Sequence, residues 1–280
     1  MKKLLLLTPL MLVSCNSIYY QVHQVKPENS MTIRDNALVY EDENCIASYN
    51  FWNEEGGDVG FMLYNKSDVN IYVNLEECFF VFNGIAYDYY KNRTFTSSRQ
   101  VAASSSASKS FAAAITSVPE YQFKKNPDMV QAAAGVTSTT GVVSSSGVSV
   151  SYEEEKVICV PPRSTKRIAE YVVNKTLIRD CDLYRHPNKS QIKSLTFSKE
   201  SSPFVFENRV VYWAGSNDGP IRFDNKFYIA EITNYPEKEI VEWRYDSFCG
   251  QRSQQTKLYF KAVYPDRFFI KYSGVGKNVK

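Results

Sequence analysis

The stretch Cys78–Tyr90, CFFVFNGIAYDYY, decides the fold class. Asn83-Gly84 separates an aromatic run from an aliphatic-aromatic one. Both central residues of a two-residue hairpin turn need positive φ, which Asn and Gly tolerate best, so the stretch predicts two antiparallel strands. Just upstream, GFMLY and VNIYVNL flank the polar turn NKSD, and Ile71, Val73 and Leu75 fall on one face of a strand with Tyr72 and Asn74 on the other. The last third has the same texture. SPFVFENRVVYWAG reads as a strand ended by Asn217-Asp218-Gly219-Pro220. IRF-DN-KFYIAEITNY, then PEKE, then IVEWRY read as a meander, with Val241, Trp243 and Tyr245 on one face. LYFKAVY-PD-RFFIKY reads as a closing hairpin with Phe268, Ile270 and Tyr272 aligned.

Composition agrees. The chain has 280 residues, 20 of them Tyr and 17 Phe, residue types that suit a pleated, half-buried surface. Short strands separated by turn signals, without long helices between them, predict an all-β, antiparallel, immunoglobulin-like sandwich architecture. Pro161-Pro162 in VICVPPRSTKRIAEY cannot sit inside a central strand and marks an edge or a break. Residues 174–192 read as a connection with HPNKS as its turn. No internal repeat at a fixed period is visible.

Residues 97–151 break the pattern, being dominated by Ser, Ala, Val and Thr. Phe111, Ile115 and Val118 recur at helical spacing, and Asn126, Pro127 and Gly135 suit the cap, first turn and stop of a second short helix. The segment reads as a mobile insertion, with a packed helical hairpin or a partner- or membrane-inserting element as alternatives. The abrupt change in composition marks it as a candidate contact element.

The first 20 residues, MKKLLLLTPLMLVSCNSIYY, place two lysines before about ten mostly apolar residues. A bilayer span needs ~20, so this stretch fits the apolar core of a secretory signal. Leu12-Val13-Ser14-Cys15 resembles the bacterial lipoprotein signal motif. That resemblance implies cleavage after residue 14, a thioether-linked diacylglyceryl group on the Cys15 sulfur and acylation of the new amine. One chain holds only marginally, at ~0.8 kcal/mol per buried methylene, whereas two or three anchor firmly. Asn16 stands where an Asp favours inner-membrane retention in other lipoproteins, and no acidic export run follows. The expectation is the periplasmic face of the outer membrane. Residues 15–43 read as the lipid-anchored tether, residues 44–180 as a β-sandwich with the insertion, and residues 190–280 as a second β-sheet region or a continuation of the same sandwich. LYNKSDVNIYVNLEECFFVFNGIAYDYY, VICVPPRSTKRIAEY and SPFVFENRVVYW, in this order, resemble segments of Bacteroidetes-type lipoproteins, a likeness that implies no activity.

Chemistry-bearing residues are sparse. Net charge is +3, from 33 basic and 30 acidic residues, without the basic stripe of a nucleic-acid binder. His23, in the expected tether, and His186, before Pro187, are the two histidines, too few for a His-rich metal site. Beyond Cys15, five cysteines remain, so at least one is unpaired; Cys78 and Cys159 lie in apolar runs and read as buried thiols. No GxSxG elbow occurs, and Gly274-Val275-Gly276-Lys277 lacks the rest of a phosphate loop. Asp180 with Asp182, and Glu239 with Glu242, are the carboxylate pairs that a polysaccharide hydrolase would need across a cleft, and both read as solvated. Glu153-Glu154-Glu155 reads as solvent-facing. Tyr87, Tyr89 and Tyr90, and Tyr212 with Trp213, suit sugar stacking or partner contact, but alternate as core residues do. The expectation is a non-enzymatic binding module for a protein or glycan, with no catalytic residue, cofactor or metal, held at the membrane through Cys15. The rival readings are an assembly part of a surface apparatus or adhesin and, third, a hydrolase.

Overall fold

A computed structural model describes residues 17–54, 56–103, 113–115, 132–134, 144–215 and 219–274. Within them the chain is almost wholly antiparallel β-structure, with two large sheets around the main core and three two-stranded ribbons besides. The smaller sheet is a meander of β2 (Thr32–Arg34), β3 (Ala37–Glu41), β4 (Cys45–Tyr49) and β5 (Phe61–Asn65), closed at its edge by β14 (Thr165–Ile168). The larger has nine strands. Its main path runs β13 (Val157–Val160), β6 (Ile71–Asn74), β16 (Val205–Ala214), β17 (Ile221–Pro236), β1 (Ser17–Pro27) and β20 (Arg267–Gly274). The hairpin of β7 (Phe79–Phe82) and β8 (Ile85–Asp88) pairs with the first half of β16, and β15 (Ser194–Thr196) with β17.

The Asn83-Gly84 turn forms as the sequence predicts, with φ of 47° and 83°. Ile71, Val73 and Leu75 are buried together. The NKSD turn, however, does not close a flat hairpin: β5 and β6 lie in different sheets, so the chain turns a corner there. Asn65 holds that corner. Its buried amide donates to Val69 O at 2.7 Å and Val160 O at 2.9 Å, and its oxygen accepts the Ser67 amide at 2.9 Å and hydroxyl at 2.7 Å. The returning strand pair makes the same crossing at Pro161-Pro162, between β13 and β14. A prolyl nitrogen cannot donate to a ladder, so the ladder stops where the chain changes sheet.

Between the sheets lies an aromatic cluster. Phe227 meets Tyr49, Phe51 and Phe206 at ring-centroid distances of 5.1, 5.2 and 5.4 Å. Such pairs add ~0.5–1.5 kcal/mol each to area burial. The sheets are also joined by polar bonds: Asn225 on β17 donates to the Tyr49 hydroxyl at 2.9 Å, and Asn208 on β16, which accepts the Tyr89 hydroxyl at 2.8 Å, donates to Val59 O at 2.9 Å. Asp224-Asn225, read as a turn, therefore sits inside one unbroken 16-residue strand. Its amide faces the core and finds a partner there, which a sequence pattern does not reveal. Likewise LYFKAVYPDRFFIKY is no hairpin, because its two halves join different sheets. Asn217 and Asp218 lie outside the described residues.

The largest correction concerns residues 17–27. They are not a tether. As β1 they are hydrogen-bonded along both edges, Tyr19–Pro27 to β17 and Ser17–Gln24 to β20, with a register shift at Gln24/Val25. Residues 32–41 are likewise strands of the smaller sheet, and the last third continues the same sandwich. Gln21 and His23 of β1 are buried polar residues. Gln21 donates to Ile178 O at 2.9 Å and accepts the Ile178 amide at 2.8 Å, and Asn234 donates to Tyr184 O, so the connection 174–192 is strapped across β1. His23 stacks on Phe268 at 4.5 Å with the rings 6° apart.

Burial pushes the His23 imidazole down to about 3, so it is neutral in the folded chain. The unfolded chain takes up a proton near pH 6.5 that the folded chain refuses, so stability falls as pH falls from 6.5 towards 3 and is flat above. Denaturant unfolding at pH 7 and pH 5 should show the parent losing about 2 kcal/mol more than His23→Gln. Equal losses contradict a neutral, buried imidazole.

Candidate functional site

In the segment of unusual composition the described strands form a ribbon, or arm, paired apart from both large sheets. β9 (Thr94–Ala103) and β12 (Ser144–Glu153) pair in unbroken antiparallel register from Thr94↔Glu153 to Ala103↔Ser144, and with neither large sheet. Ten residues at ~3.3 Å each give the ribbon a length of about 33 Å. Further out, β10 (Ala113–Ile115) pairs with β11 (Ala132–Ala134). These pairings replace the two short helices expected there; Phe111, Val118, Asn126, Pro127 and Gly135 lie outside the described residues. Ser, Thr and Val along β9 and β12 suit a pleated ribbon, since β-branching restricts χ1 against a preceding helical turn.

The root of the arm is clamped by charge. Glu154, read as solvent-facing, is buried. Its carboxylate accepts the backbone amides of Lys91 at 2.9 Å and Arg93 at 3.2 Å and meets the Arg93 guanidinium at 2.5 Å. Arg93 also donates to both oxygens of Glu170, at 2.8 and 3.0 Å, and Lys91 reaches Glu170 at 2.8 Å. The clamp thus joins both ends of the arm to the segment after β14. Burial opposes the charge on Glu154, but Arg93 and the two amides outweigh it and hold the carboxyl below its ordinary 4.5. Arg93 is raised: burial opposes its charge too, and the two carboxylates more than compensate. Phe95 and Tyr152 stack across the second rung at 5.2 Å, and Lys91 lies 4.7 Å over the Tyr171 ring.

The other residues singled out from sequence do not converge. Cys15 lies outside the described residues, as do Val275, Gly276 and Lys277. His186 leans on Tyr19 at 4.9 Å, a packing contact on the strap. Asp180 accepts the Asp182 amide at 2.8 Å, which closes a turn. Glu239 faces Lys189 at 3.6 Å, and Glu242 pairs with Arg244. Tyr89 and Tyr212 are buried with bonded hydroxyls, Tyr212 to Asp42 at 2.8 Å, whereas Tyr87 is exposed. Among the described residues no three His, Cys, Asp or Glu side chains are grouped to hold a metal ion. Cys45, Cys78, Cys159, Cys181 and Cys249 are all free thiols. Cys45 and Cys78 are buried, and burial pushes Cys78 up to about 11, which keeps it protonated and unreactive. Cys159 is only half-buried.

No family model, curated protein or solved structure matches the chain.

Sequence reading missed the clamp because its members lie 61 and 77 residues apart. One signal was present: Arg93 and Glu154 bracket the change in composition. Glu154→Ala leaves two amides without their acceptor and Arg93 with one carboxylate fewer, which costs about 1–3 kcal/mol. Hydrogen exchange at Thr94–Thr96 and Ser151–Glu153 should accelerate at least tenfold, while β17 is unchanged. As pH falls through the depressed carboxyl value of Glu154 the parent should loosen in the same way, and unaltered exchange at the root contradicts the clamp.

Proposed function

We propose that this protein is a lipid-anchored, non-enzymatic binding module of the cell envelope that captures a protein partner with its arm. One observation supports this most: two ten-residue strands pair with each other and with neither large sheet, above a root fixed by charge. A paired ribbon outside a sheet carries outward-facing backbone donors and acceptors, which an extended segment of another chain matches by strand addition. The rigid clamp at Arg93 lowers the ordering cost of presenting it. The leader ending in Leu12-Val13-Ser14-Cys15 supports acylation at Cys15, and Asn16 supports the periplasmic face of the outer membrane. We class the sandwich with immunoglobulin-like folds on its two antiparallel sheets and its paired crossings at Asn65 and Pro161. The dispersal of the acidic residues argues against the hydrolase reading.

Replacing residues 97–150 with a short Gly-Ser turn tests the reading, since the clamp and the first rung remain. The shortened protein should keep its unfolding midpoint and membrane association but lose its stoichiometric partner after cross-linking in detergent-solubilised membranes. Undiminished capture, or a glycan-array signal with no protein partner, contradicts the arm's role. Cys15→Ala should release the protein from the membrane fraction; continued firm association contradicts the anchor.

A further inference from the structure

A second hairpin leaves the sandwich beside the start of β1. After β17 the chain makes one helical turn, α1 (Glu237–Ile240), and enters β18 (Val241–Phe248) and β19 (Gln251–Phe260), which pair only with each other. The register Val241↔Phe260, Trp243↔Leu258, Tyr245↔Thr256 places Val241, Trp243, Tyr245, Leu258 and Phe260 on one face. The lowest pair is packed: Val241 and Phe260 join Tyr20, Trp52 and Phe269 in a small core of their own. Above it the same face is bare, with Trp243 70% exposed and Tyr245 50%; beyond a register shift, Phe248 near the tip is 81% exposed. The opposite face is polar and already satisfied: Glu242 pairs with Arg244, Asp246 with Lys257, and Tyr259 donates to Asp246 at 3.0 Å.

An amphipathic hairpin with a self-neutralised polar face and a bare aromatic face lacks an apolar neighbour. The chain itself supports one occupant. Tyr20, against which the hairpin root packs, lies five residues after Cys15, and only Asn16 separates Cys15 from β1. At ~3.8 Å per Cα step, the Cα of residue 15 lies within about 8 Å of that of Ser17. With β1 bonded on both edges from its first residues, no slack separates acyl chains at residue 15 from the sandwich. The hairpin root is thereby held at the lipid surface. Trp and Tyr, with an apolar body and a polar tip, favour the headgroup boundary, and nearby Arg and Lys side chains reach outward to it. Arg252, stacked 3.5 Å from the Tyr245 ring centroid, is so placed.

We infer that the exposed aromatic face of the β18–β19 hairpin inserts into the headgroup boundary of the membrane that holds Cys15, as a second contact that orients the module. The inference rests on the lipid-anchored reading above. Aromatic burial carries it, so it does not require anionic lipid.

The test uses the full mature chain on phosphatidylethanolamine–phosphatidylcholine vesicles, with and without brominated acyl chains. Bromolipid quenching of tryptophan emission is expected in the acylated protein and should disappear in Trp243→Phe. Unacylated Cys15→Ala protein should sediment weakly with the same vesicles, and at least tenfold less after Trp243→Ser with Tyr245→Ser. If acylated protein stays on vesicles while Trp243 is unquenched, the hairpin inference is overturned and the anchor stands. If mass spectrometry finds no acyl group on Cys15, the anchor reading fails, and sedimentation of the unacylated chain still decides the hairpin. A lipid-independent blue shift with dimerisation, or one seen only with a purified protein partner, also overturns it.

Discussion

The backbone ladder on both sides of β1 is the constraint on which the rest of the molecule depends. Nine positions of Tyr19–Pro27 are registered with β17 and eight of Ser17–Gln24 with β20. This strand carries little apolar surface towards the main core, where it presents Gln21 and His23. It is held by main-chain bonds, by amide-to-backbone bonds across the strap at 174–192, and by Val25 in the main core and Tyr20 and Val22 in the small one. Remove it and β17 loses its neighbour, β20 loses its place in the sheet, and Phe268 loses the ring it stacks on. Residues near the start of the chain thus join residues near its end in one cooperative sheet.

Around that ladder the sandwich is organised by polar groups placed where burial makes them specific. Asn65 ties a corner between sheets, Asn225 bonds Tyr49 and Asn208 bonds the Val59 carbonyl across the core, and Glu154 fixes the arm. An unpaired buried amide or carboxylate is costly, so each of these residues admits few alternative arrangements. Apolar packing of Phe227 and its neighbours supplies the bulk of the driving force; the polar groups select the register.

Much of the architecture was legible. Asn83-Gly84 announced its hairpin, Pro161-Pro162 its break, and Ile71, Val73 and Leu75 their buried face. The errors share a physical origin. β1 was read as a tether because Tyr19, Gln21 and His23 point inward without the apolar alternation that marks a buried strand. Asp224-Asn225 looked like a turn because the partner of its amide nitrogen, Tyr49, lies 176 residues away. Glu154 looked solvated because its partner Arg93 is brought near only by the ribbon. Periodicity reports apolar burial along one segment and is blind to polar groups satisfied from afar. The arm's boundaries were visible in composition, its strand pairing was not, and the exposed face of Trp243 was read correctly as a face but not as a bare one.

On the proposed reading, a short link from the membrane to a rigid sheet, a clamped arm and an aromatic hairpin define the module's orientation as well as its location. All of this needs β1 to be structural rather than slack. Native-state hydrogen exchange resolved to single amides tests that most directly. The account predicts that the amides of Tyr20–Val25 exchange only with global unfolding, as slowly as those of β17 opposite them. Exchange of those amides at the rate of an unstructured chain, while β17 stays protected, would contradict it.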